Sequence, residues 1–201
     1  MSDTPLSCDC GKVRGTLRDP SALRMVCHCL DCQTYAHHLD RADLLDAHGG
    51  SEVAQVSPAS VAITEGWEHV RALSQSPKGA VRVYASCCNT PIANLSGDPR
   101  FPFVGLVTAF TEDGVSRDDA LGPVIARVQG KDACGDASTL DAHDGNPPSV
   151  LARVVPRILW WRVTGAWKQS PFFDETHTLR VDREVMPRET RAALQERVRA
   201  S

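Results

Sequence analysis

At 201 residues, with 42% apolar and 23% charged side chains, the chain is long enough to bury a real core and too apolar for general disorder. Its formal net charge of −3, from 22 basic and 25 acidic residues, gives no general attraction to nucleic acid. No stripe of interleaved aromatic and basic residues offers a single-strand platform either, so nucleic acid is not an expected partner.

The chain opens on Cys8-Asp9-Cys10-Gly11, followed by stretches at 13–17 and 23–27 whose period-two alternation predicts short strands. Cys27-His28-Cys29-Leu30-Asp31-Cys32-Gln33 comes next, and 31–38 reads as a helix, with a shorter helical turn within 41–47. Strands are predicted at 52–56, 61–63, 69–73 and 81–85. Reversals at Ser57-Pro58, Glu65-Gly66, 76–79 and 97–99 separate them and make an antiparallel meander the economical arrangement. Cys87-Cys88-Asn89-Thr90-Pro91 follows the last of these. The sequon Asn94-Leu95-Ser96 is read as chance.

A buried strand is predicted at 103–110 and a helix over 118–128, despite Gly122-Pro123. Residues 133–149, rich in Gly, Asp, Ser and Pro, read as a loop or linker, with Cys134 inside it as a bystander. The segment 150–168 carries Arg153, Arg157, Arg162 and Lys168 and no acidic residue. Its charges and Pro156 exclude a spanning helix. The leading expectation is an amphipathic helix packing its apolar face on its own domain, with contact to an anionic membrane surface as the lesser one. A strand at 178–182 and a proline-initiated terminal helix at 187–200 complete the chain. The division expected is a domain over 1–132, a linker over 133–149 and a C-terminal amphipathic, helical extension over 150–201.

The cysteines carry the chemistry. Met1-Ser2-Asp3-Thr4-Pro5 has neither a basic start nor an apolar run, as expected of a chain that stays in the reducing cytoplasm, where thiols persist. Residues two apart are poor disulfide partners, whereas Cys-x-Cys and Cys-x-x-Cys present sulfurs to a soft cation about 2.3 Å away. One or two zinc ions per chain are therefore the expected cofactor. Cys27, Cys29 and Cys32 are complete as a trio and leave a fourth position open, which defines a working site. Cys8 and Cys10 need distant partners, and Cys87 with Cys88 are the available ones, which defines a structural staple.

The order Cys-x-Cys-Gly, Cys-His-Cys-x-x-Cys-Gln and a strand leading into Cys-x-Thr-Pro-Ile resembles the glutathione-dependent formaldehyde-activating enzymes, a family that also includes centromere protein V. The likeness covers roughly residues 6–110. It implies a mainly β fold, a zinc-bearing β-tent of antiparallel sheets with a few short helices. It also implies a carbon-sulfur lyase acting on the glutathione adduct of formaldehyde. By motif, Cys27, Cys29 and Cys32 match the catalytic zinc group, and Cys8, Cys10 and Cys88 match three structural ligands. The family's last group is Cys-x-x-Cys-Gly-Thr-Pro, but here Ala85 stands three before Cys88 and Asn89 replaces the glycine. Cys87 is one candidate for the fourth ligand; His37, His38, an acid or water are the others.

An open tri-thiolate zinc site suits soft ligands. A thiol entering the fourth position is held as thiolate at neutral pH, ready to add to an aldehyde or to be released from a hemithioacetal. The expected partner is thus a small thiol or its aldehyde adduct, with Gln33 as a local hydrogen-bond donor and no assigned general acid or base, His28 included. Two other readings stand beside this one. The first is a zinc-stabilised binding module with Trp160-Trp161 at an interface, and the second is a redox protein using Cys87-Cys88 as a vicinal pair.

Overall fold

Alternating buried and exposed side chains build two sheets, described by a computed structural model for residues 3–18 and 22–200. The smaller is antiparallel and joins β1 (Thr4–Ser7), β2 (Arg14–Leu17) and β5 (Val61–Glu65). The larger has eight strands. From one edge to the other these are β10 (Val124–Val128), β3 (Leu23–Cys27), β4 (Ser51–Val56), β9 (Val104–Val107), β8 (Thr90–Leu95), β7 (Val81–Ala85), β6 (Val70–Ser74) and β11 (Arg183–Val185). Inner neighbours are all antiparallel, and β6 to β9 form the expected meander. Both edge strands run parallel to their neighbours, β10 to β3 and β11 to β6, which departs from wholly antiparallel sheets.

Side chains of β2, which alternate in burial, and of β4, β7, β8 and β9, which are buried in consecutive runs, meet in one core that includes Leu17, Val56, Val83, Ile92, Leu106, Phe110 and Phe172. Among the described residues four α-helices accompany the sheets: α1 (Leu30–His38), α2 (Arg117–Leu121), α3 (Pro148–Val163) and α4 (Arg188–Arg199). A second cluster places Tyr35 of α1 and Leu39 at its C-cap with Leu73 and Met186, and Leu194 of α4 packs against it. C-terminal residues thereby complete the sheet edge at β6 and cover α1. Residues 133–149 are held to the domain through Cys134 N–H to the His48 carbonyl (3.0 Å) and Gly130 N–H to the His143 carbonyl (2.8 Å).

Predicted strands at 23–27 and 81–85 and the helix at 31–38 form within one residue of their predicted bounds. The helix predicted over 118–128 does not. It stops at Leu121, because Gly122 takes a positive φ of 76° and Pro123 has no N–H to continue the ladder. The β-branched run after it becomes β10, through pairing with a strand about a hundred residues earlier. The strand predicted at 178–182 is also displaced, and β11 forms at Arg183–Val185, where the edge of β6 accepts it. The segment before it is a turn in which Asp174 Oδ1 accepts from the N–H groups of Thr176 and Thr178. The strand expected at 103–110 ends at Val107 in a short 3-10 turn, Thr108–Phe110.

Gly66 follows β5 and packs against the β1–β2 turn, closing the three-stranded sheet at its cysteine end. Its φ is +79°, and a Cβ there would sit 2.1 Å from the Lys12 carbonyl oxygen, two residues from Cys10. Gly66→Ala combines left-handed strain with a backbone clash, so a loss of about 2–4 kcal/mol is expected. For a chain of this size that is a fall of roughly 5–15 °C in thermal midpoint, read by calorimetry on metal-loaded protein.

Candidate metal centres

The first centre is assembled at the junction of the sheets. Cys8 follows β1 in a tight turn, closed by Gly11 N–H to the Cys8 carbonyl (2.8 Å) and by Gly11 itself at φ 73°. Val13 N–H points at the Cys8 sulfur at 3.2 Å. The opposite half is the turn between β7 and β8, where Asn89 takes φ 57°, the left-handed conformation a glycine would supply and one that Asn tolerates. This turn presents Cys87 and Cys88 to the same point. Sulfur separations are 3.6 Å for Cys8–Cys10, 3.8 Å for Cys8–Cys87, 3.3 Å for Cys10–Cys87 and 3.9 Å for Cys87–Cys88. All four lie within 4.8 Å of one another, and all eight cysteines are free of disulfides. A tetrahedral ion with bonds of about 2.3 Å needs sulfurs about 3.8 Å apart, so the donor set fits a closed tetrathiolate site.

Cys87 is thus the fourth sulfur of this group, and adjacent cysteines do reach one point, because the Ser86–Asn89 turn aims both inward. Ala85 itself is buried in the core. Neither His37 nor His38 belongs to either sulfur group among the described residues. Burial raises the Cys88 pKa, but hydrogen bonds from the Thr90 hydroxyl and the Cys10 and Thr90 N–H groups outweigh it and lower it to about 6. Burial and hydrogen bonds shared with Cys10 and Cys8 push Cys87 up. Four crowded sulfurs cannot all ionise without a cation among them.

The second centre lies where β3 meets α1. Cys27 ends the strand, Cys29 is the N-cap of the helix and Cys32 sits in its first turn. N-cap and third helical positions share one side of the first turn, which is how Cys-x-x-Cys converges, and the N–H groups and dipole there favour thiolate charge. The three sulfurs lie within 4.8 Å of one another, and among the described residues no fourth His, Cys, Asp or Glu joins them. Hydrogen bonds from Cys27 and Cys29, with Arg82 adding positive charge, hold Cys32 well below the usual thiol range. Cys27 is driven up by sharing with Cys29 and Cys32 and by burial.

Gln33 is buried and donates to the His28 carbonyl (2.6 Å) and the Asp132 carbonyl (2.7 Å), while its Oε1 accepts from Cys134 Sγ (2.8 Å). Its role is to clamp the Cys27–Cys29 backbone to the loop after β10. Cys134 lies outside both sulfur groups and ties that clamp to α4 through the Val198 carbonyl. His28 is fully buried and outside the sulfur group, with Nε2 3.5 Å from Asp46 Oδ2.

Several residues at this centre escaped the sequence reading. Arg82 is buried, places Nη1 3.7 Å from Cys32 Sγ and 2.9 Å from Asn94 Oδ1, and stacks over the Tyr35 ring at 5.1 Å. Three thiolates holding a dication would carry one net negative charge, and Arg82 is a buried cation placed to balance it. The only signal was an arginine between two valines in a central strand. Cys32 and Arg82 also line a cleft of about 330 Å³, together with Arg117, Asp43 and the ion pair of Arg127 and Asp46 (2.9 Å).

Fold and sites together define a mainly β protein with two cysteine centres able to hold metal ions. The chain belongs to DUF6151, a family of unknown function, whose profile matches residues 1–180. No curated protein matches it. A Rhodobacter sphaeroides protein of known crystal structure is similar at 18% identity and a TM-score of 0.43, over 60% of this chain and 96% of its own.

Proposed function

We propose that this protein is a zinc-dependent carbon-sulfur lyase of the formaldehyde-activating type, built on a β-tent, with Cys27, Cys29 and Cys32 as the working centre. The observation that carries the reading is a convergent trio of thiols, without a fourth protein ligand among the described residues, beside a cleft of about 330 Å³. A zinc ion bound there supplies an open position that stabilises a substrate sulfur as thiolate. Cys27, Cys29 and Cys32 would hold it, and Arg82 offsets the charge of the thiolates.

The reaction needs no oxidant. A thiolate sulfur bonds to the carbonyl carbon of a small aldehyde, the carbonyl oxygen takes up a proton, and a hemithioacetal results; the reverse step breaks the same carbon-sulfur bond. Arg117 in the cleft lining suits a carboxylate of a glutathione-type thiol, whereas Arg127 is paired with Asp46 at 2.9 Å and Asp43 with Arg41 at 3.0 Å, and these pairs shape the cleft wall. The tetrathiolate set of Cys8, Cys10, Cys87 and Cys88 takes the structural zinc.

Metal content and cobalt spectroscopy test this together. Protein purified without chelator is expected to carry two ions per chain, one for each cysteine group. After cobalt substitution, glutathione is expected to change the thiolate-to-metal absorption of one ion and leave the other unchanged. A spectrum indifferent to thiols would overturn the open, thiol-accepting site and favour a zinc-stabilised binding module.

A further inference from the structure

Helix α3 turns much of its apolar surface outward. Val150, Ile158 and Trp161 anchor it to the domain. Leu159, Trp160 and Val163 are 56%, 65% and 82% exposed, and Leu151 and Val155 are more than 40% exposed. At about 100° per residue these five, with Ala152 and Pro156, cover the half of the helix turned away from the protein. Arg153 lies beside Trp160 at one edge of that face and Arg162 between Leu151 and Val155 at the other, while Arg157 is half-buried nearer the protein, so the arginines do not share one side. Arg162 donates to the Arg100 carbonyl at 2.6 Å, which brings Phe101, itself about half-exposed, into the same region. From residue 145 to 173 the chain has no Asp or Glu, although its overall charge is −3.

We infer that the outward face of α3 docks on an anionic lipid surface, lying in the plane of the headgroups. The sequence alone favoured an apolar face turned inward, and the structure turns much of it outward. Five large apolar side chains with basic residues on both flanks form the pattern of an interfacial helix, and Trp160 suits the boundary between headgroup and acyl chain. Charge decides the occupant. A twofold contact between two copies of this face would bring basic edges together with no acidic residue of 145–173 to pair with Arg153 or Arg162, whereas acidic headgroups complement them. No helix among the described residues is long and apolar enough to cross a membrane, so the contact is peripheral.

The test is co-sedimentation of the full, metal-loaded chain with phosphatidylcholine vesicles, with and without about 30 mol% phosphatidylserine, at roughly 0.1 M salt. Binding is expected only to the anionic vesicles. Leu159→Asp with Val163→Asp is expected to reduce partitioning at least about tenfold. Arg153→Gln with Arg162→Gln should reduce it roughly thirtyfold. Circular dichroism and metal content of both variants should match the parent, since the substituted side chains are exposed. Failure to bind anionic vesicles, or equal binding to both kinds, overturns the inference. So does a dimer in analytical ultracentrifugation that the Leu159→Asp/Val163→Asp variant dissolves, which would assign the face to a second copy. None of these readouts depends on the lyase reading.

Discussion

Replacing Cys8 with serine is expected to remove one metal ion per chain and most of the cooperative stability of the fold. Cys8 is 2% exposed, accepts the Val13 N–H, and sits 3.8 Å from Cys87, which is 79 positions away in sequence. Through that contact the end of β1 is fixed to the β7–β8 turn. Asp9 strengthens the same junction, its N–H donating to Thr90 Oγ1 at 3.1 Å and its carboxylate meeting Arg41 at 2.7 Å. A structural zinc contributes on the order of 10 kcal/mol toward folding, and a domain's net stability is about 5–15 kcal/mol. The metal term is therefore as large as the whole margin. A serine hydroxyl stays protonated at neutral pH and does not replace the lost thiolate. Metal analysis and thermal unfolding by circular dichroism check the result. A variant that keeps its metal content and melts like the parent would show that the four sulfurs do not hold a structural ion.

Much of the site was legible because metal ligation leaves a strict local signature. Cys27, Cys29 and Cys32 converge through a strand end and the first helical turn, both readable from spacing and periodicity, and β3, β7 and α1 lie close to their predicted bounds. The features that were not legible depend on distant partners. Residues Val124–Val128 form a strand because β3 offers a parallel edge, and local propensity cannot express that. Arg82 is a half-buried strand residue by pattern, and only the packing of α1 over β7 sets it beside Cys32. Whether Cys87 or a histidine completes the first centre depended on the turn around Asn89, whose positive φ aims two adjacent sulfurs inward. The outward apolar face of α3 was hidden for a related reason: composition shows that a helix is amphipathic, but not which side meets the protein.

Cys29→Ser isolates the working centre from the fold. Cys29 is the N-cap of α1, and serine is among the preferred N-cap residues, so the start of the helix should survive the exchange. Gln33 continues to hold the His28 carbonyl, and the staple of Cys8, Cys10, Cys87 and Cys88 is untouched. The variant is expected to fold with a thermal midpoint only a few degrees lower and to carry one metal ion where two are expected in the parent. Formation of the hemithioacetal from glutathione and formaldehyde should fall by at least about a hundredfold, because loss of even an outer-sphere partner of a metal ligand costs 10–100-fold. Two measurements, metal content and turnover, then separate the readings. Unfolding like that of Cys8→Ser would make the trio structural and the protein a zinc-stabilised module. A folded variant with parental turnover would remove Cys29, and with it the tri-thiolate centre, from the chemistry. A folded, singly metallated and inactive variant is the outcome that the geometry of Cys27, Cys29 and Cys32 beside the Arg82 cleft supports.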